Sequence, residues 1–216
     1  VQIILEQVTD TLRRRILEQA HGPGEHLTID RLARELGVSQ TPIREALGRL
    51  QGEGLVVYRR NQGYRVAPIA IHEIEEMLEC RLALEPFAAQ RIDPISSDFV
   101  GRLEAIHARF CAAMAAQQYV ENNAADREFH ETIVAATGNA LLLRLFRSMD
   151  SHMYTMRVFY YSQHAQAQDL EETCAEHGRI LEAFRAGNHA AAAAALTDHL
   201  HRVKGRVAAL ASLFPQ

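Results

Sequence analysis

The sequence predicts a mainly α protein in two parts: three helices closed by a two-stranded hairpin, then an all-α, antiparallel six-helix bundle. Three observations carry that reading. Apolar residues recur at helical spacing along most of the 216 residues. Strand-like alternation is confined to residues 55–67. The helical runs are separated by Gly, Pro and Asn at the points where a chain of this kind turns. The composition, 48% hydrophobic and 23% charged, is that of a globular chain rather than a disordered or fibrous one. No apolar run approaches the ~18 residues of a membrane helix.

Residues 3–20 place Leu5, Val8, Leu12 and Ile16 near helical spacing, and Gly22-Pro23-Gly24 stops that helix. Thr28 stands where it caps a second helix with Ile29, Leu32, Ala33 and Leu36 on one face. Gly37-Val38 makes a turn, and Ser39 opens a third helix whose inward face is Ile43, Ala46, Leu47 and Leu50. Pro42 lies in its first turn, where a missing N–H costs little. After Gly52 and Gly54, Leu55 to Tyr58 and Tyr64 to Ala67 read as strands joined by Arg59 to Gly63. Pro68 marks the boundary, giving domains at 1–68 and 69–216. The six later helices are expected at about 71–91, 97–117, 121–136, 139–163, 168–186 and 188–213.

Two short helices joined at Gly37, the second with exposed polar residues, describe a helix-turn-helix, and the hairpin describes its wing. With Ile43, Ala46, Leu47 and Leu50 turned inward, Gln40, Thr41 and Arg44 face outward at the N-terminal end that enters a major groove. Ser39 and Thr41 hydroxyls suit phosphate oxygens, and Arg44 is long enough to reach guanine O6 and N7. Arg59, Arg60 and Arg65 around Gly63 make the wing basic. Charge supports the division weakly: residues 1–68 carry ten Arg against eight acidic residues, whereas the remainder is net acidic.

The stretch LTIDRLARELGVSQTPIREALGRLQGEGLVVYRRNQGYRV, Leu27 to Val66, resembles the winged helix of the GntR family of bacterial transcription regulators. The resemblance implies a homodimer on a palindromic double-stranded DNA operator. It also implies DNA contacts from Ser39, Thr41 and Arg44 on the recognition helix and from Gly63 at the wing, with Gln40 and Arg60 beside them. This sequence departs from the family at two positions. Gln40 replaces the usual arginine, and Asp30 stands where some members place a DNA-contacting arginine.

The second part is rich in histidine, with 11 in the whole chain. Asp126 and His130 are four residues apart on one helix face, flanked by Phe129 and Ile133. His177 interrupts the apolar stripe Leu170, Cys174, Leu181 and Phe184, and His199 interrupts Ala192, Leu196 and Val203. Each histidine taken alone is readable as a hydrogen-bonded core residue. Together they are a nitrogen–oxygen donor set from three helices, suited to zinc, nickel, manganese or iron. Three imidazoles and one carboxylate leave coordination positions that a ligand carboxylate would take. His21, His26, His189 and His201 fall in loops or on polar faces and are expected in solvent.

The segment DREFH at 126–130, TGN at 137–139, His177 and His199 resemble the metal-binding form of the FCD ligand-sensing domain of the FadR subfamily. Six helices rather than seven resemble its VanR-type branch. The resemblance implies a divalent transition metal on Asp126, His130, His177 and His199, and a small organic acid or sugar acid as effector. Arg81, in CRLALEP, is similar to an arginine that faces the effector cavity. Its other reading is an i,i+4 surface pair with Glu85. In the fourth bundle helix Leu145, Met149, His152, Met156 and Phe159 share a face, most of it expected in the core, with His152 a second effector candidate.

A metal-dependent hydrolase is the competing function. There is no HExxH, Glu128 and Glu131 point away from the Asp126 face, and that reading leaves the winged helix without a role. The three scattered cysteines argue against a disulfide scaffold. No secretion leader is recognisable at the N-terminal end, and the expected location is the cytoplasm.

Overall fold

The computed structural model of the chain describes residues 2–18, 20–68, 71–149 and 167–210. They form two compact units, one within residues 1–69 and one drawn from residue 70 onward.

The first unit contains α1 (Gln2–Leu17), β1 (His26–Leu27), α2 (Ile29–Leu36), α3 (Gln40–Gly52), β2 (Val56–Arg59) and β3 (Gly63–Val66). Leu12, Leu32, Ile43, Leu47, Leu50 and Leu55 are fully buried and fuse the three helices to the base of the hairpin. Arg13 on α1 clamps the end of α3: its Nε donates to Glu53 Oε2 at 2.9 Å and its Nη2 to Glu53 Oε1 at 2.7 Å. Gly37 closes α2 in the left-handed conformation at φ 65°, which a residue with a Cβ adopts at a cost. Thr28 and Ser39 occupy the N-cap positions in extended conformation, yet neither side chain makes a capping bond. Thr28 Oγ1 instead meets His26 Nδ1 at 3.2 Å.

The sheet has three strands rather than the two of the hairpin, in the order β1-β3-β2, all antiparallel. The third is gained because the turn at 22–24 lays the chain along β3. Gly24 N donates to Val66 O at 3.1 Å and Val66 N donates to Glu25 O at 2.9 Å. His26 then pairs with Arg65 and Leu27 with Tyr64. A two-residue strand offers no alternation to read, which is why the sequence does not announce it.

The second unit contains α4 (Ile71–Ala89), α5 (Ser97–Ala115), α6 (Tyr119–Ala135), α7 (140–149), α8 (Ala167–Arg185) and α9 (His189–Leu210). α9 packs on α4 and α8, α5 packs on α6 and α8, and α4 also reaches α6. Phe110, Phe129 and Phe184 fill the centre. The helix starts have local causes. Phe99 N donates to Ser96 Oγ at α5, and Leu141 N and Leu142 N donate to Asn139 Oδ1 at α7. Ala191 N donates to Asn188 Oδ1 at α9.

Two expectations change here. On α7 the packed face is Leu142 and Phe146, against Ala88 and Val134, with Met149 beside them. Leu145, expected on the inner stripe, is 49% exposed. His152, Met156 and Phe159 lie outside the described residues. The second change concerns the cysteines: Cys111 on α5 and Cys174 on α8 form a disulfide across a separation of 63 residues, which nothing in the spacing of the cysteines suggests. Among the described residues no helix is long and apolar enough to cross a membrane.

Candidate functional site

Three helices of the second unit each place an imidazole at one point. His130 on α6, His177 on α8 and His199 on α9 are buried, and one ligand atom from each lies within 4.8 Å of the others. Helical periodicity explains the placement: His177 and His199 interrupt otherwise apolar faces of their helices, and His130 lies one turn after Asp126 on the buried face of α6. His177 is held flat: its ring stacks on Phe129 at 4.7 Å, 8° from parallel, and packs against Phe110 at 4.6 Å. Asp126, one turn before His130, is also buried. Its Oδ1 lies 3.5 Å from His177 Nε2 and 3.9 Å from His130 Nε2.

The ring orientations are set from behind. His130 Nδ1 lies 2.6 Å from Glu85 Oε2, and His199 Nδ1 lies 2.7 Å from Glu176 Oε2. A carboxylate accepts, so each imidazole donates through Nδ1–H, and Nε2 becomes the nitrogen that presents a lone pair. Glu85 and Glu176 are themselves anchored. Arg81 Nε donates to Glu85 Oε1, and Arg206 Nη2 donates to Glu176 Oε2 at 3.3 Å. Burial alone would raise the Glu176 carboxyl, but the hydrogen bond from His199 and the Arg206 guanidinium hold it below the usual carboxylate range.

This donor set fits a divalent transition metal. Atoms bound to one ion at about 2.0–2.2 Å sit roughly 3–4 Å apart, the range of the Asp126–His177 and Asp126–His130 separations. Imidazoles oriented by carboxylates are the arrangement that fixes tautomer and raises ligand basicity at metal centres. Glu85 and Glu176 are the functional residues the sequence reading missed. The one available signal was Glu85 falling on the Ile74, Leu78 and Arg81 face of its helix, where a carboxylate needs a partner.

Arg81 is 3% exposed, with its guanidinium carbon 5.8 Å from the Phe146 ring centre. The i,i+4 pair with Glu85 is made, but it is buried rather than on the surface. Through Glu85, Arg81 touches the same hydrogen-bond chain as His130. His152 lies outside the described residues. His21, expected in solvent, is buried, with Nδ1 3.0 Å from Glu25 Oε1.

In the first unit Ser39, Gln40, Thr41 and Arg44 are exposed along the start of α3, and Arg60 is exposed at the hairpin turn. The two departures from the family pattern touch each other: Gln40 Nε2 donates to Asp30 Oδ1 at 2.6 Å. Gly63 has φ 76°, and a Cβ there would stand 3.3 Å from His26 Nε2. Arg65 turns inward rather than to the wing tip, its Nη1 donating to Gly24 O at 3.1 Å.

Comparison with known proteins agrees with this architecture. Residues 4–66 match the model of bacterial regulatory proteins of the gntR family, and residues 76–202 match the FCD domain. An uncharacterized HTH-type transcriptional regulator in the TAR-I ttuE-ttuC' intergenic region of Agrobacterium vitis is 34% identical over 128 residues, covering 57% of this chain and 75% of that protein. The gluconate operon transcriptional repressor of Bacillus licheniformis is 26% identical over 204 residues, 93% of this chain and 84% of its own length. A GntR transcriptional regulator from Rhodococcus sp. RHA1 superposes with a TM-score of 0.73 at 22% identity, over 95% of this chain and 97% of that one, a likeness of fold. These relatives are transcriptional regulators, not enzymes. With a winged helix before a helical domain that holds a buried histidine triad, the chain belongs to the GntR family of bacterial transcription regulators and carries an FCD domain.

Proposed function

We propose that this regulator binds a palindromic operator as a homodimer and answers to a small carboxylate, of the sugar-acid class, held at a metal centre in its helical domain. The convergence of His130, His177 and His199, with Asp126 beside two of them and Glu85 and Glu176 behind, carries the metal reading. A divalent ion there supplies a Lewis-acidic anchor for carboxylate oxygens. Asp126, His130, His177 and His199 would hold it. Glu85 and Glu176 keep the ligating nitrogens aimed, and the phenyl rings of Phe110 and Phe129 keep His177 from rotating away. Arg81, held by Glu85 on the hydrogen-bond chain that ends at His130, is the second candidate contact for the effector. The sugar-acid class rests on the resemblance and on the gluconate operon repressor among the relatives.

Ser39, Gln40, Thr41, Arg44, Arg60 and Gly63 form the DNA face in this reading. One recognition helix reads one half-site, so two-fold pairing of the protein matches a palindrome. A carboxylate then shifts operator affinity only by as much as its own affinity differs between the two states of the dimer. The direct test of the metal centre is elemental analysis of the purified full chain beside the double variant Asp126→Ala, His130→Ala. The wild-type chain is expected to retain a transition metal that the variant lacks, and equal metal content in both would overturn the site.

A further inference from the structure

We infer that Cys111 and Cys174, attended by His107, form a dithiol that hydroperoxides oxidise reversibly to a disulfide stapling α5 to α8. Three observations place this chemistry together. The two cysteines sit on facing helices with Cα atoms 5.7 Å apart, inside the span a disulfide bridges without backbone movement. His107, one turn before Cys111, brings Nε2 to 3.4 Å from Cys111 Sγ and 3.7 Å from Cys174 Sγ. The same Nε2 lies 3.0 Å from the Cys174 carbonyl oxygen; a carbonyl only accepts, so the proton sits on Nε2 and is given to that carbonyl, which holds the ring beside the sulfur pair. All three side chains are partly exposed, unlike the buried histidine triad, so a small oxidant reaches them.

The chemistry closes with a hydroperoxide as the only co-reactant. The thiolate of one cysteine attacks the terminal peroxide oxygen, the O–O bond breaks, and the alcohol leaves after taking a proton. The resulting sulfenic acid is attacked by the second sulfur. The S–O bond breaks, hydroxide leaves as water with the second thiol's proton, and the S–S bond forms. Two electrons pass from the two sulfurs to the peroxide, and a thiol reductant reverses the change by exchange. An imidazole N–H held beside both sulfurs favours the anionic sulfur that attacks, to which it turns once charge develops there. His107 therefore acts as a positioning residue.

The site lies near the metal centre without belonging to it: Cys174 precedes His177 by three residues on α8. The inference does not depend on a metal. It is tested on the full chain after chelation, by counting maleimide adducts under denaturing conditions by mass spectrometry. Cys80 is exposed and serves as the internal control. The reduced chain is expected to take three adducts, one per cysteine. After hydrogen peroxide it is expected to take one, at Cys80, with a Cys111–Cys174 cross-linked peptide. Dithiothreitol restores three. Cys111→Ser or Cys174→Ser removes the cross-linked peptide. His107→Leu slows adduct loss severalfold and His107→Gln, which keeps an N–H donor, recovers part of the rate. Three adducts after peroxide would overturn the inference. So would a cross-link involving Cys80, or a reduced pair protected from maleimide only by added zinc. A metal centre that fails elemental analysis would leave these counts unchanged, so the two claims fail separately.

Discussion

At Glu85 and Glu176, chain-distant carboxylates decide which nitrogen of a histidine is available. Each accepts from a ligand imidazole across 45 and 23 residues of sequence respectively, and each is buried. Removing such a partner typically weakens metal binding about 10–100-fold. Glu85→Gln and Glu176→Gln are expected to lower metal affinity by about that factor in a competitive chelator titration while keeping the metal site's stoichiometry. Unchanged affinity in both would mean the ring orientation is set by packing alone. At the other end of the chain Arg44 is exposed on the start of α3. Arg44→Ala is expected to cost roughly 1–3 kcal/mol of specific operator binding. An equal loss on unrelated DNA would make Arg44 a phosphate contact only.

The three clustered histidines were legible locally: His177 and His199 fall within apolar stripes of their helices, and His130 follows Asp126 by one turn on one face. Their carboxylate supports were not, since a glutamate beside a stripe reads as the wet edge of a helix. Pairing over 45 residues leaves no local trace. The Cys111–Cys174 contact was hidden for the same reason, with 63 residues between its ends.

Among the elements, turn 22–24 and β1 show how a short stretch is specified by its partners. Glu25 ties this segment down. Arg31 Nη2 donates to its Oε1 at 2.8 Å, Gly22 N donates to its Oε2 at 3.1 Å, and His21 Nδ1 lies 3.0 Å away. Burial by itself would raise the Glu25 carboxyl; the Arg31 and His21 bonds, with the Gly22 N–H, bring it below its usual range. A carboxylate with a lowered folded-state value contributes stability that is present at neutral pH and lost as pH falls through that value. The stability gap between the wild type and Glu25→Gln is therefore expected to narrow as the pH falls below the ordinary carboxylate range. Hydrogen exchange of the first-unit amides measures it, and a gap that widens on acidification would contradict this assignment. The helix boundaries at Asn139 and Asn188 were readable because Asn caps locally. The inner face of α7 was misread because Leu142 and Phe146 make a stripe directly beside the one through Leu145 and Met149.

Over the whole molecule, a DNA-reading unit and a helical unit with a metal-shaped centre make sense together if the second unit reports a metabolite to the first. The central claim is that the metabolite's carboxylate is anchored at Asp126, His130, His177 and His199 through a divalent ion. Thermal unfolding of the full chain, with and without gluconate, before and after chelation, tests it most directly. A ligand at about 100 times its Kd adds about 2.7 kcal/mol. For a chain of this length that moves the midpoint by several degrees, at roughly 2–4 °C per kcal/mol. Metal is expected to raise the midpoint, gluconate or a related sugar acid to raise it further, and chelation to remove both gains. A carboxylate shift that survives chelation, or a midpoint indifferent to the metal, would contradict it.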